Sequence, residues 1–162
     1  MYRKCKISDK LEVYSSLHFP YLKKSISNFR YEATVGVGGN VGDVKRRFEK
    51  LFHFLKKEKK VEVVKTSLIL KNPPFGYTKQ DDFFNSIIIL KTSLTAKQFL
   101  DYMLRVEKKF GRKRSFANAP RTLDLDIIFF DKIVMNTEKL TIPHPSWEER
   151  ESVVIPLKSI KA

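Results

Sequence analysis

Leu123-Asp124-Leu125-Asp126-Ile127-Ile128-Phe129-Phe130 reads as a buried strand with two aspartates at its mouth. A short aliphatic and aromatic run behind Pro120 fits the core of a sheet better than a helix. Side chains alternate along a strand, so Asp124 and Asp126 share a face, with Cα atoms roughly 6.6 Å apart at about 3.3 Å rise per residue. Carboxylates at that spacing can converge on one metal ion, or on a pair about 3.5 to 4 Å apart. Left alone, they repel each other and are costly to desolvate, so a positive partner is expected. Just upstream, Arg112, Arg114 and Arg121 lie along an irregular, Pro-containing segment. Two readings stay open on local sequence. The aspartates are ion-pair partners of these arginines, or they are hard ligands for magnesium, with guanidinium groups meeting the remaining phosphate charge.

Upstream of this strand, Thr95-Ala96-Lys97-Gln98 is a capping box, and the helix it opens turns Phe99, Leu100, Met103, Leu104 and Val106 inward before stopping at Gly111. Phe83 to Lys91 and Val61 to Leu70 read as two strands, separated by the loop Asn72-Pro73-Pro74-Phe75-Gly76-Tyr77. Asp43 is a good N-cap for a helix from about Val44 to Lys57, whose apolar face is Val44, Phe48, Leu51, Phe52 and Leu55. Tyr31 to Val37 fits a first strand. The order is β-α-β-β-α-β, so the expected fold is α+β: a ferredoxin-like core with a mainly antiparallel sheet and helices on one face. Ile133 to Met135, Leu140 to Pro145, a short helical stretch around Trp147 to Arg150 and the apolar Val153 to Leu157 form a C-terminal extension. Residues 31–162 make the single domain. Residues 1–30 make a basic N-terminal extension, with at most one short element, packed on it through Tyr14, Leu17, Phe19, Tyr21 and Leu22.

The first strand runs into Gly36-Val37-Gly38-Gly39-Asn40-Val41-Gly42-Asp43, which invites a nucleotide-binding reading. Val41 occupies the third glycine of a dinucleotide fingerprint, and no Gly-Lys-Ser/Thr follows for a phosphate loop. Tight turning with close backbone approach is the competing explanation. Asn85 stands inside an apolar strand and needs partners. It is either an edge contact or an amide that reads a heterocycle by paired hydrogen bonds. The net charge of +14 calls for an anionic partner. Cys5 has no partner for a disulfide, which suits a cytoplasmic protein. No apolar run approaches the roughly 20 residues of a membrane span, so no membrane partner is expected. His18, His53 and His144 are scattered along the chain, which argues against a zinc site.

Gly38 to Asp43, Asn72 to Gly76, Asp82 to Asn85, Glu107 to Arg114, Pro120-Arg121-Thr122-Leu123-Asp124-Leu125-Asp126-Ile127 and Ile142 to Pro145 together resemble the 6-hydroxymethyl-7,8-dihydropterin pyrophosphokinase family. The resemblance spans about Ala33 to Leu157. It implies transfer of pyrophosphate from ATP to the pterin hydroxymethyl group, with release of AMP, in folate biosynthesis. Residue by residue, it implies that Asp124 and Asp126 hold two magnesium ions and that Arg112, Arg114 and Arg121 serve catalysis, with Arg114 on a mobile loop. Glu107, Arg112, Arg121, Ile127, Thr141, His144 and Arg150 would bind ATP. Asn72, Pro74, Phe75, Phe83 and Asn85 would form the reduced-pterin pocket. Ser152 stands where the family usually has an aromatic. Such chemistry is mostly positioning plus electrostatic stabilisation, so metals and arginines suffice without a nucleophilic side chain. The oligomeric state is open, with a monomer favoured.

A basic ferredoxin-like sheet is also how RNA-recognition domains are built. Those need exposed aromatic and basic residues on the central strands. Asp124 and Asp126 in that place argue against nucleic acid as the partner.

Overall fold

The structure is a computed structural model that describes residues 2–74, 76–113, 116 and 119–160. Among the described residues, β1 (Arg3–Lys6), β2 (Glu12–Ser15) and β3 (Tyr21–Leu22) precede β4 (Tyr31–Gly39). Next come α1 (Val44–Lys57), β5 (Val61–Thr66), β6 (Ile69–Asn72), β7 (Phe83–Thr92), α2 (Ala96–Lys109) and β8 (Asp124–Phe130). The chain closes with β9 (Met135–Asn136), β10 (Thr141–Ile142), a 3-10 turn (Trp147–Glu149) and α3 (Glu151–Lys158). No helix of the described residues is long and apolar enough to cross a membrane.

β4 lies in the middle of the main sheet, antiparallel to β7 on one side and to β8 on the other, and β5 and β6 both pair with β7. That is the ferredoxin-like order expected from β-α-β-β-α-β. Alternation then divides the side chains. Val35 and Val37 of β4, Ile88 and Leu90 of β7, and Leu125 and Ile127 of β8 pack in one core with the apolar stripes of α1 and α2. Ile87, Ile89 and Ile128 face the other way and meet Val153 of α3, with Trp147 and Leu157 alongside. Two helices therefore share one face as expected, and the C-terminal extension covers part of the opposite face.

Both long helices are capped as the sequence predicts. The Asp43 side chain accepts from the Arg46 N–H, and the Thr95–Gln98 capping box is fully formed. Gly111 then takes φ 84°, which ends α2.

Three local expectations change. The strand expected over Val61 to Leu70 is broken at Ser67, and its second half runs on to Asn72. The Ser67 hydroxyl accepts from Ile87 N–H at 2.7 Å, and the Ser159 hydroxyl accepts from Leu68 N–H at 3.1 Å, so polar side chains satisfy the backbone where the ladder shifts. The N-terminal extension contributes three strands rather than one short element. β2 pairs with β6, β1 pairs with β2, and β3 pairs with β5. The outer strand β1 is fully exposed and carries Arg3, Lys4 and Lys6, a charged edge that resists pairing with other chains. The histidines do not stay scattered either. His18 stacks on Phe52 at 4.2 Å, and His53 stands edge-on to it at 5.0 Å.

Glu62 of β5 fastens the extension. Its carboxylate accepts from the hydroxyls of Ser25 and Ser27 at 2.7 Å, from Ile26 N–H at 2.9 Å and from Lys23 Nζ at 3.3 Å. Burial alone would raise its pKa, yet these donors pull it down to about 2 from an ordinary 4.5. A depressed carboxylate pKa gives stability that is present above about pH 4.5 and is lost as pH falls towards 2. Glu62→Gln should therefore lower the melting temperature at pH 7, by about 1.5 kcal/mol of stability. The difference from wild type should shrink steadily between pH 4.5 and 2, as followed by thermal melts across that range.

Candidate active site

The register of β4 with its neighbours builds the site. Gly38 pairs with Asn85 on one side and Asp124 on the other, and Gly36 pairs with Ile87 and Asp126. Because Leu125 and Ile127 turn into the core with α1 and α2, Asp124 and Asp126 share the opposite face, as the two-residue period predicts. The paired glycines leave that face open between the two neighbouring strands. A Cβ on Gly38 would lie 2.7 Å from Asn85 Oδ1, and one on Gly39 would lie 2.7 Å from Thr122 O. Close backbone approach thus explains these glycines. Gly36 to Gly39 belong to the strand itself, and the turn begins only at Asn40.

The electrostatics are unbalanced. Glu107, buried on α2, accepts from Leu125 N–H at 2.7 Å and from Arg112 Nη1 at 2.7 Å. Arg112 Nη1 also reaches Asp124 Oδ1, and Arg121 Nη1 lies 3.5 Å from Asp124 Oδ2. Burial opposes the charge on Arg112, but Asp124 and Glu107 outweigh it and raise its pKa further. The ion-pair reading is therefore realised for Asp124. Asp126 differs: it makes no hydrogen bond or ion pair among the described residues. The residue is half-buried, with its carboxyl the deep part, and burial together with the carboxylates of Asp124 and Glu107 pushes its pKa up to about 7. Arg112 and Arg121 offset that shift only in part. An unpaired carboxylate beside two others suits a hard divalent cation, so the residues present fit magnesium. Burial and the nearby Arg150 lower the pKa of His144.

Two cavities meet over these aspartates and share Arg121, Asp124, Asp126, His144 and Arg150. The first also takes in Asn72, Phe83, Asn85 and Ser152. Inside it, Asn85 Nδ2 donates to Asn72 Oδ1 at 2.7 Å across the neighbouring strands β7 and β6, so the amide has a protein partner. The second takes in Glu107, Arg112, Ile127 and Thr141. Asn72, Phe83 and Asn85, expected at the pterin, line the first cavity, and Glu107, Arg112, Ile127 and Thr141, expected at ATP, line the second, while Arg121, His144 and Arg150 line both. Pro74 lines neither cavity. Phe75, Arg114, Ser115, Ala117 and Asn118 lie outside the described residues, and with them most of the expected mobile loop. Phe116 meets the Tyr77 ring edge-on at 5.3 Å.

Sequence reading missed the residues that hold Arg121 in place. Asn40 is buried, and its backbone N–H donates to Arg121 O while its Oδ1 accepts from Arg121 N–H, both at 2.9 Å. Asn40 Nδ2 reaches Gln80 Oε1 and Asp81 O, which ties the loop before β7 to the same point. Arg47 Nη1 donates to Val41 O and Thr122 O. The available signal was a polar amide directly after two strand glycines, since a buried Asn requires partners.

The family model described as 7,8-dihydro-6-hydroxymethylpterin-pyrophosphokinase (HPPK) matches residues 34–162. The chain is 42% identical over 148 residues to the 2-amino-4-hydroxy-6-hydroxymethyldihydropteridine pyrophosphokinase of Helicobacter pylori, covering 90% of this chain and 91% of that one. Against the protein of the same name from Campylobacter jejuni it is 40% identical over 145 residues, covering 90% and 92%. The Bacillus subtilis protein of that name is 36% identical over 128 residues, covering 79% and 77%.

The two aspartates should respond differently to neutralisation in metal-free protein. Asp126 has a raised folded pKa, so its contribution to stability is present below about pH 4 and is lost as pH rises through about 7. Asp126→Asn should raise the melting temperature at pH 8 and have little effect at pH 4. Asp124→Asn removes a partner from the buried Arg112 and should lower it at pH 8. Thermal melts in chelator at the two pH values check both signs.

Proposed function

The chain belongs to the 7,8-dihydro-6-hydroxymethylpterin-pyrophosphokinase family, and on that premise we propose that its two joined cavities hold a reduced pterin and ATP on either side of Asp124 and Asp126. The reaction transfers pyrophosphate from ATP to the hydroxymethyl group of 6-hydroxymethyl-7,8-dihydropterin, giving the pterin diphosphate and AMP in folate biosynthesis. The pterin hydroxyl oxygen bonds to the β-phosphorus, the bond from that phosphorus to the oxygen it shares with the α-phosphate breaks, and the hydroxyl proton is released. The observation that carries the site reading is the sharing of Arg121, Asp124, Asp126, His144 and Arg150 by both cavities, since a transfer between two bound substrates needs one common boundary.

On the pterin side, Asn85 and Asn72 present paired amides, and Phe83 offers an apolar wall. Pro74 and Phe75 would complete that pocket from the loop after β6. On the nucleotide side, Ile127 and Thr141 line the cavity, with Glu107 and Arg112 at its acidic and basic wall. His144 and Arg150 stand at the boundary, and the lowered pKa of His144 leaves its imidazole neutral, able to accept as well as donate a hydrogen bond. Arg112 and Arg121, held on Asp124 in the free protein, are the guanidinium groups nearest the place where phosphate charge must be met. Arg114 would act from the loop between them.

Asp124 and Asp126 would hold magnesium, two ions in our reading. When bound there, magnesium neutralises the triphosphate oxygens and the charge that develops during transfer. We take residues 31–162 as the catalytic unit and residues 1–30 as a basic segment built onto it; the family model begins at residue 34, while the matches at 42% and 40% identity cover 90% of the chain and so reach into that segment. A monomer working in the cytoplasm is consistent with a lone exposed cysteine and nucleotide chemistry.

AMP formation from ATP, magnesium and the pterin is the direct assay. Asp126→Asn should reduce turnover by orders of magnitude in a protein at least as stable as wild type, and full activity in that variant would remove the metal-site assignment. Asn85→Ala should weaken pterin binding by about 1 to 3 kcal/mol and leave ATP binding nearly unchanged. Equal losses for both ligands, measured by calorimetry, would contradict the partition of the cavities.

A further inference from the structure

A second cluster of ligating side chains lies far along the chain from the aspartates, where the N-terminal extension meets α1. Glu49 and His53 stand four residues apart on α1 and so occupy one helix face. Glu49 is the only carboxylate of that helix, which otherwise carries Lys45, Arg46, Arg47, Lys50, Lys56 and Lys57. His18 comes from the turn between β2 and β3, a segment that precedes the family match.

This turn is held firmly. Phe19 is fully buried against Phe48 and Phe52, Ser16 N–H donates to Phe19 O at 2.8 Å, and Thr66 Oγ1 donates to His18 O at 2.5 Å. The His18 imidazole lies nearly parallel to the Phe52 ring, 14° apart, which fixes its plane. Glu49 is oriented as well. Its Oε2 accepts from Ser16 Oγ at 2.7 Å and from His18 N–H at 3.0 Å, which leaves Oε1 facing His18 Nδ1 at 2.7 Å. One donor atom from each of His18, Glu49 and His53 lies within 4.8 Å of the other two.

We propose that His18, Glu49 and His53 form a binding site for a divalent transition metal of the zinc type, which clips the N-terminal extension to α1. Two imidazoles and one carboxylate are donors that suit zinc rather than magnesium. Zinc bonds of about 2.0 to 2.2 Å in a tetrahedron separate donor atoms by roughly 3.4 Å. His18 Nδ1 and Glu49 Oε1, at 2.7 Å, stand closer than that and part slightly to admit the ion, and His53, which is exposed, closes the rest by side-chain rotation. Oε2 plays the outer-shell part, since its hydrogen bonds to Ser16 and His18 aim Oε1 at the metal position. The metal takes the place of the hydrogen bond between His18 Nδ1 and Glu49 Oε1, with the metal-bound imidazole keeping its proton on Nε2. The exposure of His53 leaves the remaining coordination position to water. The hydrogen bonds that His18 and Ser16 give Glu49 keep its pKa low against the effect of burial, so the carboxylate is ionised at neutral pH.

The test is a zinc chloride titration of the full-length protein, stripped with chelator, against a competing chromophoric chelator. Melting curves and hydrogen exchange are recorded with and without zinc. Wild type should bind zinc, melt at higher temperature with it, and show slower exchange over residues 12–22. His53→Ala replaces an exposed side chain and should stay folded, yet weaken zinc binding by at least about tenfold and abolish the rise in melting temperature. Cobalt(II) should give the visible absorption of a tetrahedral site in wild type and not in His53→Ala, and magnesium should give no shift in exchange at residues 12–22. Zinc affinity equal in wild type and His53→Ala overturns the proposal. So does zinc binding that survives His53→Ala and is lost in Asp126→Asn, because the ion would then sit among the carboxylates of β8.

Discussion

The buried carboxylate of Glu107 is the contact on which the catalytic face depends. It accepts a backbone hydrogen bond from Leu125 and a charged one from Arg112, so it ties the C-terminal end of α2 to β8 and sets a guanidinium beside Asp124. Buried charge is tolerated only when paired and hydrogen-bonded. Here three carboxylates, Glu107, Asp124 and Asp126, gather around two described arginines, and the arginines favour the first two. Asp126 is left with raised pKa and no direct partner among the described residues. A site assembled in this way carries a standing demand for positive charge. That demand is the physical basis of the proposed magnesium and triphosphate site.

The strand glycines matter as much as the charges. Gly36 and Gly38 face the same side as Asp124, Asp126 and Asn85, and their missing side chains make the floor of the cavity between β7 and β8. Any larger residue at Gly38 would collide with the Asn85 amide and disturb its hydrogen bond to Asn72. A glycine-rich strand is intrinsically weak. β4 is supported on both edges by full ladders and on the helix face by Val35 and Val37, which offsets that weakness.

The basic N-terminal extension is built into the sheet. Tyr14 of β2 packs edge-on to Phe84 at 5.8 Å, immediately behind Phe83 and Asn85, and Lys45 of α1 lies 4.1 Å from the Tyr14 ring. Phe19 is among the most deeply buried side chains of the molecule. Part of the large positive charge is thereby used locally, over aromatic faces and around Glu12 and Glu62. The extension thickens the wall behind the cavity lined by Asn72, Phe83 and Asn85 without contributing a residue to its lining.

Much of this was written in local sequence. The helices over Val44 to Lys57 and from Thr95 onward follow from apolar periodicity and side-chain caps, interactions between residues three or four apart. The shared face of Asp124 and Asp126 follows from the two-residue period of a strand. Their company of Arg112 and Arg121 was legible as charge lying close by in the chain. The break at Ser67 was not legible, because it depends on a hydroxyl and on Ser159 arriving from the far end of the chain. Nor was the role of Asn40, whose partners Arg121 and Asp81 are separated from it by many residues. The difference between Asp124 and Asp126 was equally hidden. Two residues of one type, two positions apart, acquire different electrostatic fates only when folding brings Arg112 and Arg121 into contact with one of them. The sequence by itself determined the two long helices, the core strands and the paired carboxylates that β8 carries. The tertiary structure alone decided which carboxylate has no ion-pair partner among the described residues and that His18 meets His53, because both depend on distances that only packing between remote segments can set.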